Sequence, residues 1–112
     1  MAGAFELRKA KDGQFYFILK AGNGEIILNS EMYQAKKSAE AGIVSVQNNC
    51  SMDERYARGQ ASNGKFYFTL KAANHQVIGT SQMYASTASR DAGIESVKTN
   101  GKTSVIHDPT SA

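Results

Sequence analysis

The sequence predicts an α+β protein made of two tandem copies of one β-rich unit. A shift of 51 positions places residues 13–49 over residues 64–100 without a gap. The aromatic run Phe-Tyr-Phe at 15–17 returns at 66–68 in this register. Self-similarity at a fixed period of about fifty residues is typical of a repeated supersecondary unit.

The chain length sets the domain organisation. With 112 residues the chain has the size of one ordinary domain, and a unit of about fifty residues would bury too little apolar surface to be comfortably stable alone. We therefore expect a single domain over residues 1–112, in which repeats at about 1–51 and 52–108 share a core. Residues 109–112 are expected to form a frayed tail.

The composition favours a soluble cytoplasmic protein. The chain is 41% hydrophobic, has one proline, and contains no apolar run near the roughly twenty residues that a membrane span requires. The first residues lack the pattern of a secretory signal, and Cys50 is the single cysteine, which excludes an internal disulfide. We expect a monomer.

Two β-hairpins open each unit. Residues 5–9 and 15–20 flank an Asp-Gly dipeptide typical of a type I′ turn. A second turn over residues 21–24 leads to a third strand at 25–29. In the second copy of this turn Ala73 and His75 replace both glycines, so we expect it to be looser or of another type.

Alternation along the second strand of each unit separates two faces. One face is expected to form the core, with Phe15, Phe17, Leu19, Phe66, Phe68 and Leu70. The other face is more amphipathic and is a candidate binding face. Its residues are Tyr16, Lys20, Tyr67 and Lys71, together with Ile18 and Thr69.

A helix follows the three strands of each unit. The repeats share small and apolar residues at helical spacing, which predicts the stripe that packs on the sheet. In the first copy this stripe is Ser38, Ala41, Gly42, Ser45, Val46 and Asn49. Gly42 and Gly93 are interpreted as packing glycines, and Asn49 and Asn100 are suited to ending the helices.

Two further segments complete the units. Residues 53–59 are expected to form the opening strand of the second unit. Residues 103–107 predict a β-branched strand after the second helix, which would return to pair with the first unit.

The combined motifs resemble the YegP-like family of small bacterial proteins of uncharacterised function. The resemblance is nearly full length. It is carried by Asp-Gly-Gln-Phe-Tyr-Phe at 12–17, Leu-Lys-Ala at 19–21, Ser-Glu-Met-Tyr at 30–33 and Gly-Ile-Val-Ser-Val at 42–46, and by their second appearance from residue 63 to residue 97. It implies one antiparallel sheet of two β-β-β-α-β units that exchange their C-terminal strands. It implies no known activity and no catalytic residue.

The connection after the third strand is a second candidate site. Ser30, Met32 and Tyr33 recur as Ser81, Met83 and Tyr84, so this repeated loop has a defined shape. Packing is the favoured interpretation, with Met and Tyr sealing the end of the sheet beneath the helix and Ser satisfying a backbone group. The alternative is a ligand pocket.

Residues with catalytic or metal-binding chemistry are sparse. Cys50 has no CxxC partner, and His75 and His107 lack the spacing of a zinc site. We expect no catalytic residue, no cofactor and no metal site.

Three classes of function follow from these observations. The favoured one is a non-enzymatic binding or structural module with a protein partner. The alternative is weak nucleic-acid binding, in which bases stack on the tyrosines of the candidate face beside its lysines; the basic residues are scattered rather than clustered, with a net charge of +3. An enzyme acting on a small molecule is the third class, and a polar pocket beside Tyr33 or Tyr84 would favour it.

Overall fold

The computed structural model describes residues 3–111 as one seven-stranded sheet with two helices. The strands are β1 Ala4–Lys9, β2 Phe15–Lys20, β3 Ile26–Ser30, β4 Tyr56–Gln60, β5 Phe66–Lys71, β6 Val77–Thr80 and β7 Ile106–His107. The helices are α1 Lys36–Asn49 and α2 Thr87–Asn100. Short 3-10 helices cover Asp53–Arg55 and Pro109–Ser111. The predicted α+β class is confirmed.

The sheet joins the two repeats at its centre. Its strand order is β4-β5-β6-β3-β2-β1-β7, and β3 and β6 pair antiparallel with Asn29 opposite Thr80. These two residues occupy equivalent positions of the two repeats, so the pair lies on the pseudo-twofold axis that relates them. Neither repeat has a sheet of its own.

The last strand crosses from the second repeat to the first, as the sequence predicts. Strand β7 pairs with β1, and the amide of Phe5 donates to the carbonyl of Val105 at 2.9 Å. This pair is parallel, so the sheet is mixed rather than purely antiparallel. The exchange runs one way. After α1 the chain enters the 3-10 helix Asp53–Arg55 and then β4, and within residues 3–111 no separate strand of the first repeat returns to the second.

Both helices pack on the same face of the sheet and build one core. Phe17, Leu19, Phe68 and Leu70 are fully buried there, in a cluster that includes apolar residues of α1 and α2. Each helix also reaches the strands of the other repeat, α1 contacting β5 and β6 and α2 contacting β2 and β3. Two of the six expected core residues, Phe15 and Phe66, are half-buried at the end of the sheet.

The packed stripe of each helix differs from the predicted one. On α1 the buried residues are Ala39, Gly42, Ile43, Val46 and Asn49. Ser38 and Ala41 are exposed, because the apolar positions 39, 43 and 46 set the direction that faces the core. The small residues shared by the repeats therefore lie partly along the edge of the packed stripe.

All four hairpin turns have one conformation. Each begins with alanine, has Asp or Asn at its third position, and ends on a left-handed residue: Gly13, Gly24, Gly64 or His75. The third side chain accepts a hydrogen bond from an amide two residues later, as Asn74 does from Gln76 at 3.1 Å. The expected type I′ geometry is wrong because it requires two left-handed residues. The expected change of turn at His75 (φ 69°) is also wrong, since this residue adopts the conformation of Gly24 (φ 86°).

Asparagine side chains end both helices, and a short 3-10 helix follows β7. Asn49 and Asn100 end the two helices, and each side-chain amide donates to the carbonyl four residues earlier at 2.8 Å. Pro109–Ser111 forms its 3-10 helix next to β1, and Asp108 accepts a hydrogen bond from the amide of Thr110 at 3.1 Å. The frayed tail expected at 109–112 stays a prediction, and residue 112 lies outside the described residues.

Candidate functional site

The face of the sheet opposite the helices carries the four residues of the candidate binding face. We call it the helix-free face. Its central row is fixed by the strand register, which places Ile18 opposite Asn29, Asn29 opposite Thr80, and Thr80 opposite Thr69. Tyr16, Lys20, Tyr67 and Lys71 flank this row.

The two tyrosines and the two lysines stand apart on this face. Tyr16 and Lys20 lie on either side of Ile18 on one strand, about 13 Å apart along it. Because β2 and β5 run in opposite directions, Tyr16 lies level with Lys71, and Tyr67 lies level with Lys20. The tyrosines occupy opposite corners about 20 Å from each other. The structure thus places all four residues on one face without bringing them together.

The charges on the helix-free face differ between the repeats. In the first repeat Glu6 forms ion pairs with Arg8 at 2.5 Å and Lys20 at 3.4 Å. The hydrogen bond from Arg8 is the main cause that lowers the pKa of Glu6. In the second repeat Gly59 replaces Arg8, and the ring of Tyr67 covers it. Within residues 3–111 Lys71 forms no ion pair.

The serines of the repeated loop fix its backbone. The hydroxyl of Ser30 accepts from the amide of Phe17 and donates to the carbonyl of Glu31, both at 2.8 Å. Ser81 makes the same two bonds to Phe68 and Gln82. The loop is thereby tied to the second strand of its own repeat.

The tyrosines of the repeated loop explain the helix glycines. Tyr33 stacks on Phe17 with ring centroids 6.4 Å apart, and Tyr84 stacks on Phe68 at 6.3 Å. A Cβ on Gly42 would lie 2.6 Å from the Tyr33 hydroxyl. Gly93 faces Tyr84 in the same way. The glycines are packing glycines, as expected, and they make room for the tyrosines as well as for the sheet.

The methionines of the repeated loop do not seal the sheet. Met32 is 54% exposed and Met83 is 48% exposed. The expectation that they pack beneath the helices is wrong, because the neighbouring tyrosine rings already fill that space.

A polar cleft lies beside Tyr84 on the helix side of the sheet. It has a volume of about 330 Å³ and lies between the β2–β3 turn of the first repeat and α2 of the second. Its polar residues are Asn23, Glu25, Gln82, Tyr84, Ser89 and Ser96. Ala21, Ile27, Ala92 and Gly93 complete its walls. This is the pocket that the ligand interpretation of the repeated loop and the enzyme class both require, but its lining holds one carboxylate and no histidine, cysteine or lysine. Its signal in the sequence was the recurrence of Ser38 and Ala41 as Ser89 and Ala92.

The remaining candidates stay apart from both surfaces. His75 and His107 are exposed, and Cys50 is fully buried. Burial raises the pKa of the Cys50 thiol. Among residues 3–111 no three His, Cys, Asp or Glu side chains group as metal ligands. Over the same residues neither helix is long and apolar enough to cross a bilayer.

The fold and its surfaces define a two-repeat α+β module with a helix-free sheet face and an inter-repeat cleft. Residues 10–56 and 61–108 each match a family model described as Domain of unknown function (DUF1508). The chain therefore belongs to this family, and its resemblance to YegP-like proteins is confirmed.

Relatives match over nearly the whole chain. A UPF0339 protein of Acinetobacter baylyi is 66% identical over 110 residues, which cover 98% of this chain and 99% of the relative. The UPF0339 protein YegP of Escherichia coli (strain K12) is 62% identical over 110 residues, covering 98% of this chain and 100% of the relative.

Two solution NMR structures share the fold. A UPF0339 protein from Shewanella oneidensis is 60% identical and has a TM-score of 0.91. The alignment covers 96% of this chain and 92% of that one. The yegP protein from E. coli, described as a protein of unknown function, is 61% identical and has a TM-score of 0.92. The alignment covers 97% of this chain and 94% of that one.

Proposed function

We propose that the protein is a non-enzymatic binding module whose binding surface is the helix-free face. The observation that carries this proposal is the packing of both helices on the Phe17 and Phe68 side. No helix covers the other face, where Tyr16, Tyr67 and Lys71 are half-buried and Ile18 between them is fully buried. The occupant we propose is a protein partner. Tyrosines and a polar rim are typical of such interfaces.

The pseudo-twofold axis supports this assignment. Asn29 and Thr80 lie at its centre, Asn29 is exposed, and the two tyrosine corners are related across it. A partner that spans the face would contact both repeats at once, and the shared core would hold the two halves of the surface in a fixed relation.

Site-specific photo-crosslinking in living cells tests the proposal. A photoreactive residue at Asn29 lies at the centre of the helix-free face. A matched control is Val44, which is 52% exposed on α1. We expect a discrete protein adduct from position 29 that is missing from position 44. Equal adducts from both positions, or none from position 29, would contradict the proposal, as would turnover of a substrate that one point substitution abolishes.

Weak binding of single-stranded nucleic acid is the second candidate function. The helix-free face supports it, because no helix covers the half-buried rings of Tyr16 and Tyr67, and aromatic rings provide a surface on which bases stack. The ion pairs of Glu6 with Arg8 and Lys20 reduce the positive charge available to phosphates in the first repeat.

Titration of labelled single-stranded DNA and RNA at two salt concentrations separates the two candidates. The comparison is between the wild type and the Tyr16→Ala, Tyr67→Ala double variant. Salt-sensitive binding tighter than the ~10⁻⁴ to 10⁻⁶ M of nonspecific contacts, and lost in the variant, would favour nucleic acid. Unchanged binding in the variant would exclude stacking on this face.

We also propose a cytoplasmic location. The single, fully buried thiol of Cys50 supports it, since a reducing compartment keeps such a cysteine free.

A further inference from the structure

The cleft beside Tyr84 is independent of the helix-free face because it lies on the other side of the sheet. Its walls come from both repeats, with Glu25 on the β2–β3 turn of the first and Gln82 on the loop of the second. At about 330 Å³ it falls at the lower end of the roughly 300–1,000 Å³ of ligand pockets. It therefore suits a small molecule.

The polar groups of the cleft can accept more hydrogen bonds than the protein supplies. Tyr84 lines the cleft, and its hydroxyl forms no hydrogen bond within residues 3–111. Glu25 and Gln82 are exposed residues of its lining, and the carboxylate of Glu25 and the side-chain carbonyl of Gln82 are hydrogen-bond acceptors. A ligand that donates several hydrogen bonds would satisfy all three oxygens.

The cleft carries a negative charge, and the equivalent positions of the other repeat also hold one carboxylate. Glu25 is the single charged residue among those that line it. The equivalent positions in the other repeat hold Gln76 in place of Glu25 and Glu31 in place of Gln82. Glutamate and glutamine thus exchange places. The pair Glu25 and Gln82 and the equivalent pair Gln76 and Glu31 each hold one carboxylate and one carboxamide.

The small residues of α2 keep the cleft open. Ala92 is exposed and repeats Ala41, and Ser89 repeats Ser38. None of these positions is needed for the core, which is packed by Ile94 and Val97. A larger side chain at position 89 or 92 would fill part of the cleft, which Ile27 also lines.

We propose that this cleft binds a small organic cation. An ammonium group donates to the carboxylate of Glu25, the side-chain carbonyl of Gln82 and the hydroxyl oxygen of Tyr84, and the carbon chain lies on Ile27 and Ala92.

An NMR titration of the ¹⁵N-labelled protein with three probes of equal chain length tests the proposal. The probes are 1,4-diaminobutane, 1,4-butanediol and succinate, which differ in charge. We expect saturable shifts of the Glu25, Gln82 and Ala92 amides with the diamine alone. Equal shifts with all three probes, or saturation by succinate, would overturn the proposal.

Two substitutions at exposed positions sharpen the test. Glu25→Gln should weaken diamine binding, read at the Ala92 amide, roughly three- to fivefold, as expected for one exposed ion pair. Ala92→Leu should abolish it by filling the cleft. Glu40→Gln is the matched control, because it removes an equal charge from α1 outside the cleft and should leave binding unchanged. An unchanged dissociation constant in Glu25→Gln would overturn the proposal.

Discussion

Cys50 and Gly101 occupy equivalent positions of the two repeats and pack directly against each other. A Cβ on Gly101 would lie 2.9 Å from both Cβ and Sγ of Cys50. Each residue follows the end of a helix, so the contact joins the C-terminal ends of α1 and α2. Two identical cysteines would not fit at this point of the pseudo-twofold axis, and the repeats differ there for a steric reason.

Gly101→Ala should therefore destabilise the whole domain. The added methyl group would lie 2.7 Å from the carbonyl oxygen of Val97 and 2.9 Å from Cys50, and this overpacking costs about 1–3 kcal/mol. In the Cys50→Ala background the cost should be smaller because the sulfur is gone, which a double-mutant cycle by urea denaturation measures. Additive effects of the two substitutions would argue against direct packing.

The two helices differ in the N-cap residue that precedes each of them, and this difference predicts a stabilising substitution. Ser86 caps α2 by accepting from the amide of Ser89 at 3.1 Å, whereas Ala35 before α1 offers no side-chain cap. Both residues have extended backbone. Ala35→Ser should raise the free energy of unfolding by about 1 kcal/mol, and Ser86→Ala should lower it by a similar amount. Thermal melting of both variants checks this, and a loss of stability in Ala35→Ser would show that α1 begins differently.

His75 holds a left-handed conformation that glycine adopts more easily. Its φ of 69° corresponds to 86° at Gly24 in the first repeat. Left-handed backbone costs a residue with a side chain roughly 1–2 kcal/mol, partly offset by the greater freedom of glycine when unfolded. His75→Gly should stabilise the protein by about 0.5–1 kcal/mol in urea denaturation, while Gly24→His should destabilise it. Equal stability of His75→Gly and wild type would mean that the histidine makes a compensating contact.

Tyr56 should make stability fall at alkaline pH. Its hydroxyl donates to the carbonyl of Cys50 at 2.6 Å, and burial raises its pKa well above the usual 10.0. The folded protein keeps this proton where the unfolded chain has lost it, so the stabilisation is complete below about pH 10 and declines as the pH rises further. The free energy of unfolding should fall more steeply between pH 9 and 11 for wild type than for Tyr56→Phe. Parallel curves would contradict the assignment to Tyr56, since the raised pKa of Tyr33 is common to both proteins.

The repeat explains why most of the fold could be predicted from the sequence. Identical residues at a fixed shift located the first three strands and the helix of each unit, whereas β7 was predicted from the β-branched residues at 103–107. Alternation along β2 and β5 placed Phe17 and Phe68 in the core and Tyr16 and Tyr67 on the other face. The turn type was harder to predict, because turns with one left-handed residue and turns with two can contain the same Asp-Gly or Asn-Gly dipeptide. The exposure of Met32 depends on the stacking of Tyr33 on Phe17, which is a tertiary contact that local pattern does not carry.

The cleft could not be located from one repeat alone. Its walls meet because β3 pairs with β6 and brings α2 over the turn that contains Glu25. The sequence nevertheless held a signal: Ser38 and Ala41 recur as Ser89 and Ala92 although the core does not need them. Shared small residues that packing leaves exposed indicate a surface with another role.

Hydrogen exchange after removal of β7 tests most directly whether the two repeats form one cooperative unit. Deleting residues 105–112 removes the Val105 carbonyl that binds the Phe5 amide, but keeps Thr103, whose carbonyl accepts from Gln47 at 2.9 Å. We predict faster exchange of the amides of β1 and β2 in the first repeat and also of α2 in the second, together with a lower melting temperature. Faster exchange confined to β1, with α2 and the melting temperature unchanged, would contradict a shared core.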